Sequence, residues 1–260
     1  LALLAVHAGF YAALLGGHDP MPWLRLSIGV LMALIIVALS RISMRLVNDV
    51  LEAQGGESAP YMARPPRRNL AVFAIAAYSA GEFLLPGHAV AGWLALAAAA
   101  AIANLLNDWH VGRALLQRWA LIPYLVYVCM ALGYALIGLG RLSGNEMTSA
   151  GEHLLVVGSL GLAVLIVMAV AGRMHSGWGL DHRRWLPLGA LLFVLAALAR
   201  AGSSTPFGAA AATAGLHAAA TLWIAGWSIY LAYSLKPLSG PRPDDRGGCD
   251  EAAPVAPPTR

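Results

Sequence analysis

The side chains best suited to chemistry in this sequence are eight histidines: His7, His18, His88, His110, His153, His175, His182 and His217. Neutral imidazole ligates haem iron and copper, and an ionisable group within an apolar run is costly enough to mark a site. His153 and His175 bracket one such run. Twenty-two residues separate them, about 33 Å along a helix, so they cannot ligate one metal together. Thr213, His217, Thr221 and Ser228 fall on one helical stripe, which predicts a polar face turned into a bundle interior. There His217 acts as a ligand, moves a proton or makes an interhelical hydrogen bond. His88 heads another apolar run on the same side as His153 and His217. Glu82, with Tyr78 and Ser79 beside it, either exchanges a proton or snorkels to the interface. CxxCH, CxxC, P-loop and HExxH patterns are absent. Cys129 lies in an apolar run and Cys249 in a polar tail, so no disulfide is expected between them.

These residues sit on elements whose nature follows from composition. Hydrophobic residues make up 59% of the chain and charged residues 12%, with a mean hydropathy of +0.67. Soluble domains carry about 25% charged residues, and so few charges cannot clothe a water-facing surface. A soluble enzyme, a nucleic-acid module and a disordered chain are excluded. The fold class is an all-α, polytopic transmembrane helix bundle. About 20 apolar residues cross the hydrocarbon layer, and about eight runs approach this length: 1–15, 24–42, 69–86, 88–107, 120–141, 153–172, 185–201 and 213–235. The first reads as a helix cut short at its front. Prolines 20, 22, 65, 66, 86, 187, 206 and 237 fall mostly at the joints. The Ala-rich stretch 94–103 reads as a packing face, and Asn104, Asn107 and Asp108 as a helix end. Trp23, Trp93, Trp109, Trp119, Trp178 and Trp185 read as interface anchors.

Basic residues orient the bundle. Fourteen of the seventeen fall in the loops after the second, fourth, sixth and eighth runs, and only Arg25, Arg141 and Arg200 fall on the opposite side. Basic loops stay cytoplasmic, which predicts a cytoplasmic C-terminus and accounts for the net charge of +4 without nucleic acid. Residues 1–235 form the bundle, with a cytoplasmic loop at 41–69. Ile42, Leu46 and Val50 predict that the second helix continues into this loop until Gln54-Gly55-Gly56 breaks it. Residues 236–260, with six of the fifteen prolines, read as a disordered tail.

The segment EHLLVVGSLGLAVLIVMAVAGRMHSG at 152–177 resembles the NnrS family, whose members carry a segment like HALTVGAIGxMTLxMMTRVSLGHTG. His153, Val157, Gly158, Gly161, Met168, His175 and Gly177 match at unchanged spacing. PRPDDRGG at 241–248 is similar to a family PRPDGRPG, Leu132-Gly133-Tyr134-Ala135 to a family LHLGYAW, and Arg41-Ile42 to the start of GGRVIPxFT. Departures are also visible. Met44 stands where that motif has Pro, Val47 where it has Thr, Ala131 where the family has His, Val170 where it has Arg, and Asp245 where it has Gly. The chain resembles a divergent, N-terminally incomplete member corresponding to the later part of a typical one.

The resemblance implies a multi-pass protein of the bacterial inner membrane that contains haem and copper. It also implies a role in nitric oxide response, denitrification or resistance to nitrosative stress. Carried over residue by residue, it points to His153 and His175 as metal ligands and to Arg41 as a charged neighbour. His217, His88 and Glu82 are candidates from the residues themselves. The expected partners are nitric oxide or a related small molecule and membrane lipid, with the electron partner unknown and no reaction assigned. Two other readings follow from the residues: a transporter or proton-conducting bundle without a cofactor, and an assembly subunit whose polar stripe serves packing alone.

Overall fold

A computed structural model describes residues 1–54, 59–205 and 210–243. Among them the chain is helical: α1 (Ala2–Leu15), α2 (Met21–Ala53), α3 (Pro65–Leu84), α4 (Ala89–Leu106), α5 (Arg118–Ser143), α6 (Met147–His175), α7 (Trp185–Ser203) and α8 (Ala212–Ser239), with a 3₁₀ turn at Gly112–Leu116. All eight apolar runs become helices, yet only α2, α4, α5, α6, α7 and α8 are long and apolar enough to cross a membrane. The expected count of about eight is corrected to six. α1 has 14 residues, and α3 carries Arg67, Arg68, Asn69 and Glu82 within its 20, which lowers its hydropathy.

Sequential helices pack as neighbours, and α5 is the hub, touching α2, α4, α6 and α7. Small residues permit this. On α4, Ala95, Ala98, Ala99 and Ala101 are buried. Where α5 meets α6, a Cβ on Gly151 would stand 2.7 Å from Ile137 Cγ1 and 2.8 Å from the Ile137 amide nitrogen. α6 departs from regular α geometry at Leu154–Leu160 and Met168–Gly172, which are π-helical.

α2 continues through Leu46 and Leu51, both buried, as the apolar spacing predicts. Gln54 caps it, while Gly55 and Gly56 lie outside the described residues. The following segment is tied back by Asn48, whose Nδ2 donates to the Tyr61 carbonyl at 3.1 Å while its Oδ1 accepts from the Tyr61 amide at 2.7 Å. Burial pushes the Tyr61 phenol up to about 12. Asp108 does more than end α4. Its buried carboxylate accepts from Arg67 Nη1 at 2.6 Å and from the Arg64 amide at 3.0 Å, joining the start of α3 to the end of α4.

Further expectations are corrected here. Trp109, Trp119 and Trp185 are only 4–6% exposed, because neighbouring helices close over them; Trp109 packs against Tyr61, Tyr124 and Tyr127. Trp93 stays exposed. α8 persists through Pro237 to Ser239 rather than yielding to a disordered tail at 236. Pro206, Asp245, Cys249 and the rest of the tail from 244 lie outside the described residues. The stripe Thr213, His217, Thr221 and Ser228 is exposed. α8 packs mainly on α7 and also touches α6, and it does so through Ala219, Gly226, Tyr230 and Ser234. Ala219 lies two residues from His217, about 200° around the helix.

Candidate functional site

Four of the helices each bring one charged side chain to the same end of the bundle. Arg25 lies one turn into α2, Glu82 near the end of α3, Arg141 near the end of α5 and Glu152 in the second turn of α6. Arg25 Nε donates to Glu152 Oε1 at 2.8 Å, and Arg25 Nη1 lies 3.8 Å from Glu82 Oε1. Arg141 Nη2 donates to that same Glu82 oxygen. Glu82 is 4% exposed, which rules out the snorkelling alternative for its carboxylate. Two cations and two anions form a square joined on three sides by ion pairs, so each compensates a charge that burial would otherwise penalise.

The square is incompletely bonded. Glu82 Oε2, Arg141 Nε, Ser79 Oγ and Tyr134 OH are buried without hydrogen-bond partners. Above it opens a cavity of about 640 Å³, bordered by Arg25, Arg141, Asn145, Ser149, Glu152 and Ser204. Below it, a void of about 10 Å³ lies between Arg25, Tyr78, Tyr134 and Glu152, close to the minimum for one water. Tyr78 meets Tyr134 edge to face at 5.4 Å. An open cavity, the paired charges and the Tyr78–Tyr134 pair thus lie in succession at this end of the bundle.

His153 borders this assembly. Its Nδ1 lies 2.6 Å from the Ser149 carbonyl, and a carbonyl only accepts, so Nδ1 carries the hydrogen. In the neutral ring the lone pair is then on Nε2. His153 is half-buried and has Arg200 and Glu152 as electrostatic neighbours. Arg200 donates in turn to Ser204 Oγ at the cavity rim, at 2.5 Å.

The other candidates do not converge. His175 is exposed at the far end of α6, about 33 Å from His153 along the helix. Arg41 is exposed sixteen residues beyond Arg25 on α2, about 24 Å along it. His88 caps α4, its Nδ1 accepting from the Val90 amide at 3.3 Å. His217 is exposed on α8, where its carbonyl accepts from Thr221 Oγ1 at 2.9 Å. Among the described residues, no three His, Cys, Asp or Glu side chains gather as a metal site. Of the charged square, sequence reasoning singled out only Glu82. Arg25 and Arg141 had counted as orientation charges and Glu152 as the start of a motif. The available signal was that all four fall at helix ends on the sparsely basic side.

The family described as "NnrS protein" matches residues 1–242. No curated protein and no solved structure matches the chain.

Proposed function

The chain belongs to the NnrS family, and on that premise we propose that it is an integral membrane protein that binds haem and copper in the response to nitric oxide, in denitrification or in resistance to nitrosative stress. Its place is the bacterial inner membrane, with the C-terminus in the cytoplasm. Six apolar helices support the membrane reading. Support for haem rests on one observation: the Nδ1–H of His153 is fixed on the Ser149 carbonyl, which leaves the Nε2 lone pair as the atom that would hold haem iron. Haem would supply an iron able to bind a small diatomic ligand or exchange an electron. The residues' own part is to aim the ring, through Ser149, and to surround it with Arg200 and Glu152. For copper the fit fails among the described residues, which gather no three suitable donors; copper therefore rests on family membership alone.

The test is a reduced-minus-oxidised absorption spectrum of the purified protein, with metal analysis of the same sample. A Soret band with stoichiometric iron, lost in His153→Ala while the protein still inserts, is the expected result. Full haem occupancy in that variant overturns the assignment. The open cavity and the charges above Tyr134 favour a second reading, a proton- or solute-conducting bundle. That reading predicts proton flux in proteoliposomes that Glu82→Gln abolishes, from a protein carrying no haem.

A further inference from the structure

At the opposite end of α6, where the basic residues concentrate, a second cavity of about 420 Å³ opens between the ends of α6, α7 and α8. Its charged lining is Arg173, Asp181, Arg183 and Lys236, three cations against one anion. The loop after α6 is tied down by hydrogen bonds. The Gly177 amide donates to the Met174 carbonyl, and the Trp178 amide to the Arg173 carbonyl at 2.9 Å. Gly177 takes φ +73°, the left-handed conformation that lets this helix end close. Arg118 Nη1 donates to the carbonyls of His182 and Arg183 at 2.5 and 2.6 Å. Asp181 accepts from Arg183 and from Trp185 Nε1 at 2.8 Å. With Asp181 so engaged, Arg173 Nη1 stands 3.5 Å from it without a hydrogen bond.

Arg173 Nε donates to the Gly179 carbonyl at 2.9 Å, yet two buried donors here make no hydrogen bond: Arg173 Nη1, held to Asp181 only as an ion pair, and Trp178 Nε1. Arg173 is only 8% exposed. Buried donors left unpaired cost stability, and an excess of positive charge beside them selects an oxyanion as the missing acceptor. Trp178 and Tyr233 line the cavity at these helix ends. Such residues, apolar in body and polar at the tip, sit at head-group depth, where an oxyanion comes as a lipid phosphate. We propose that this cavity binds the phosphate of an anionic phospholipid head group, with Arg173, Trp178 and Lys236 as its donors.

The test uses the full chain in phosphatidylcholine nanodiscs doped with a fluorescent phosphatidylglycerol, with inorganic phosphate as competitor. Wild type is expected to concentrate phosphatidylglycerol over phosphatidylcholine. Lys236→Gln should weaken this about fivefold, the effect of about one unit charge near the surface. Trp178→Phe keeps an aromatic ring but removes the indole N–H with its pyrrole ring, so it should weaken binding while the protein still folds and inserts. Retained preference in millimolar phosphate identifies a lipid head group as the source. Displacement by phosphate keeps the oxyanion site but assigns it a soluble ligand. Equal binding of the two lipids without phosphate competition, or wild-type binding by both variants, overturns the proposal.

Discussion

Glu82 shares one carboxylate oxygen with Arg141 and Arg25, so its removal strands Arg141 at a partly buried position and leaves Arg25 to Glu152 alone. Glu82→Ala should lower stability by about 3 kcal/mol, the usual cost of breaking a buried pair from one side. Arg141→Ala should be harmful for the same reason, and the double variant should cost clearly less than the sum. Thermal unfolding of all three in detergent checks this, and strict additivity would refute the coupling. At the other end, the hydrogen bonds from Arg183 hold the Asp181 carboxyl well below the usual carboxylate range. A depressed folded value means that Asp181 stabilises the fold above its unfolded value of about 4. That contribution is lost as pH falls from there through the folded value. The melting temperature of wild type should therefore drop below about pH 4. Asp181→Asn should melt lower at neutral pH and lose part of that acid slope; an unchanged slope would remove Asp181 from the account.

Among the helices, the α5–α6 pair depends most on size. Gly151 lies against Ile137 so closely that a Cβ would meet both side chain and backbone. Backbone cannot rotate away as a side chain can, so Gly151→Val must push the helices apart. The expected cost is about 1–3 kcal/mol, as for overpacked cores. Because Glu152 is the next residue, the variant should also disturb the Arg25–Glu152 bond. A melting temperature equal to wild type would show that the pair has room to spare. α8 represents the contrary case. Its polar stripe has the right spacing for an inward face but lies outward, because α7 and α6 engage a different side of the helix.

For the molecule as a whole, the asymmetry of basic residues acquires a structural counterpart. Arg25 and Arg141, two of the three basic residues on the poor side, are neutralised by Glu82 and Glu152. The rich side keeps an excess around the second cavity. With the rich side in the cytoplasm, a C-terminal green fluorescent protein fusion should glow and an alkaline phosphatase fusion at the same place should be inactive. Alkaline phosphatase inserted at Gly144, between α5 and α6, should be active. The reverse pattern would invert the orientation.

Fold class and the places of the helices were legible in the sequence, since apolar run length and charge scarcity report directly on a membrane environment. The histidine spacing on α6 was legible too, because two positions on one helix have a fixed separation. The span count needed more. Whether α3 qualifies depends on how far its helix reaches back over Arg67 and Arg68, and that start is set by Pro65 and by the Asp108 anchor. The charged square was beyond reach. Arg25 and Glu152 are 127 residues apart and Glu82 and Arg141 are 59 apart, so their meeting depends on which helices are neighbours and how each is rotated. A periodic pattern gives a helix a polar side, but only the helices packed against it decide whether that side faces inward, which is why Glu82 is buried and His217 is not.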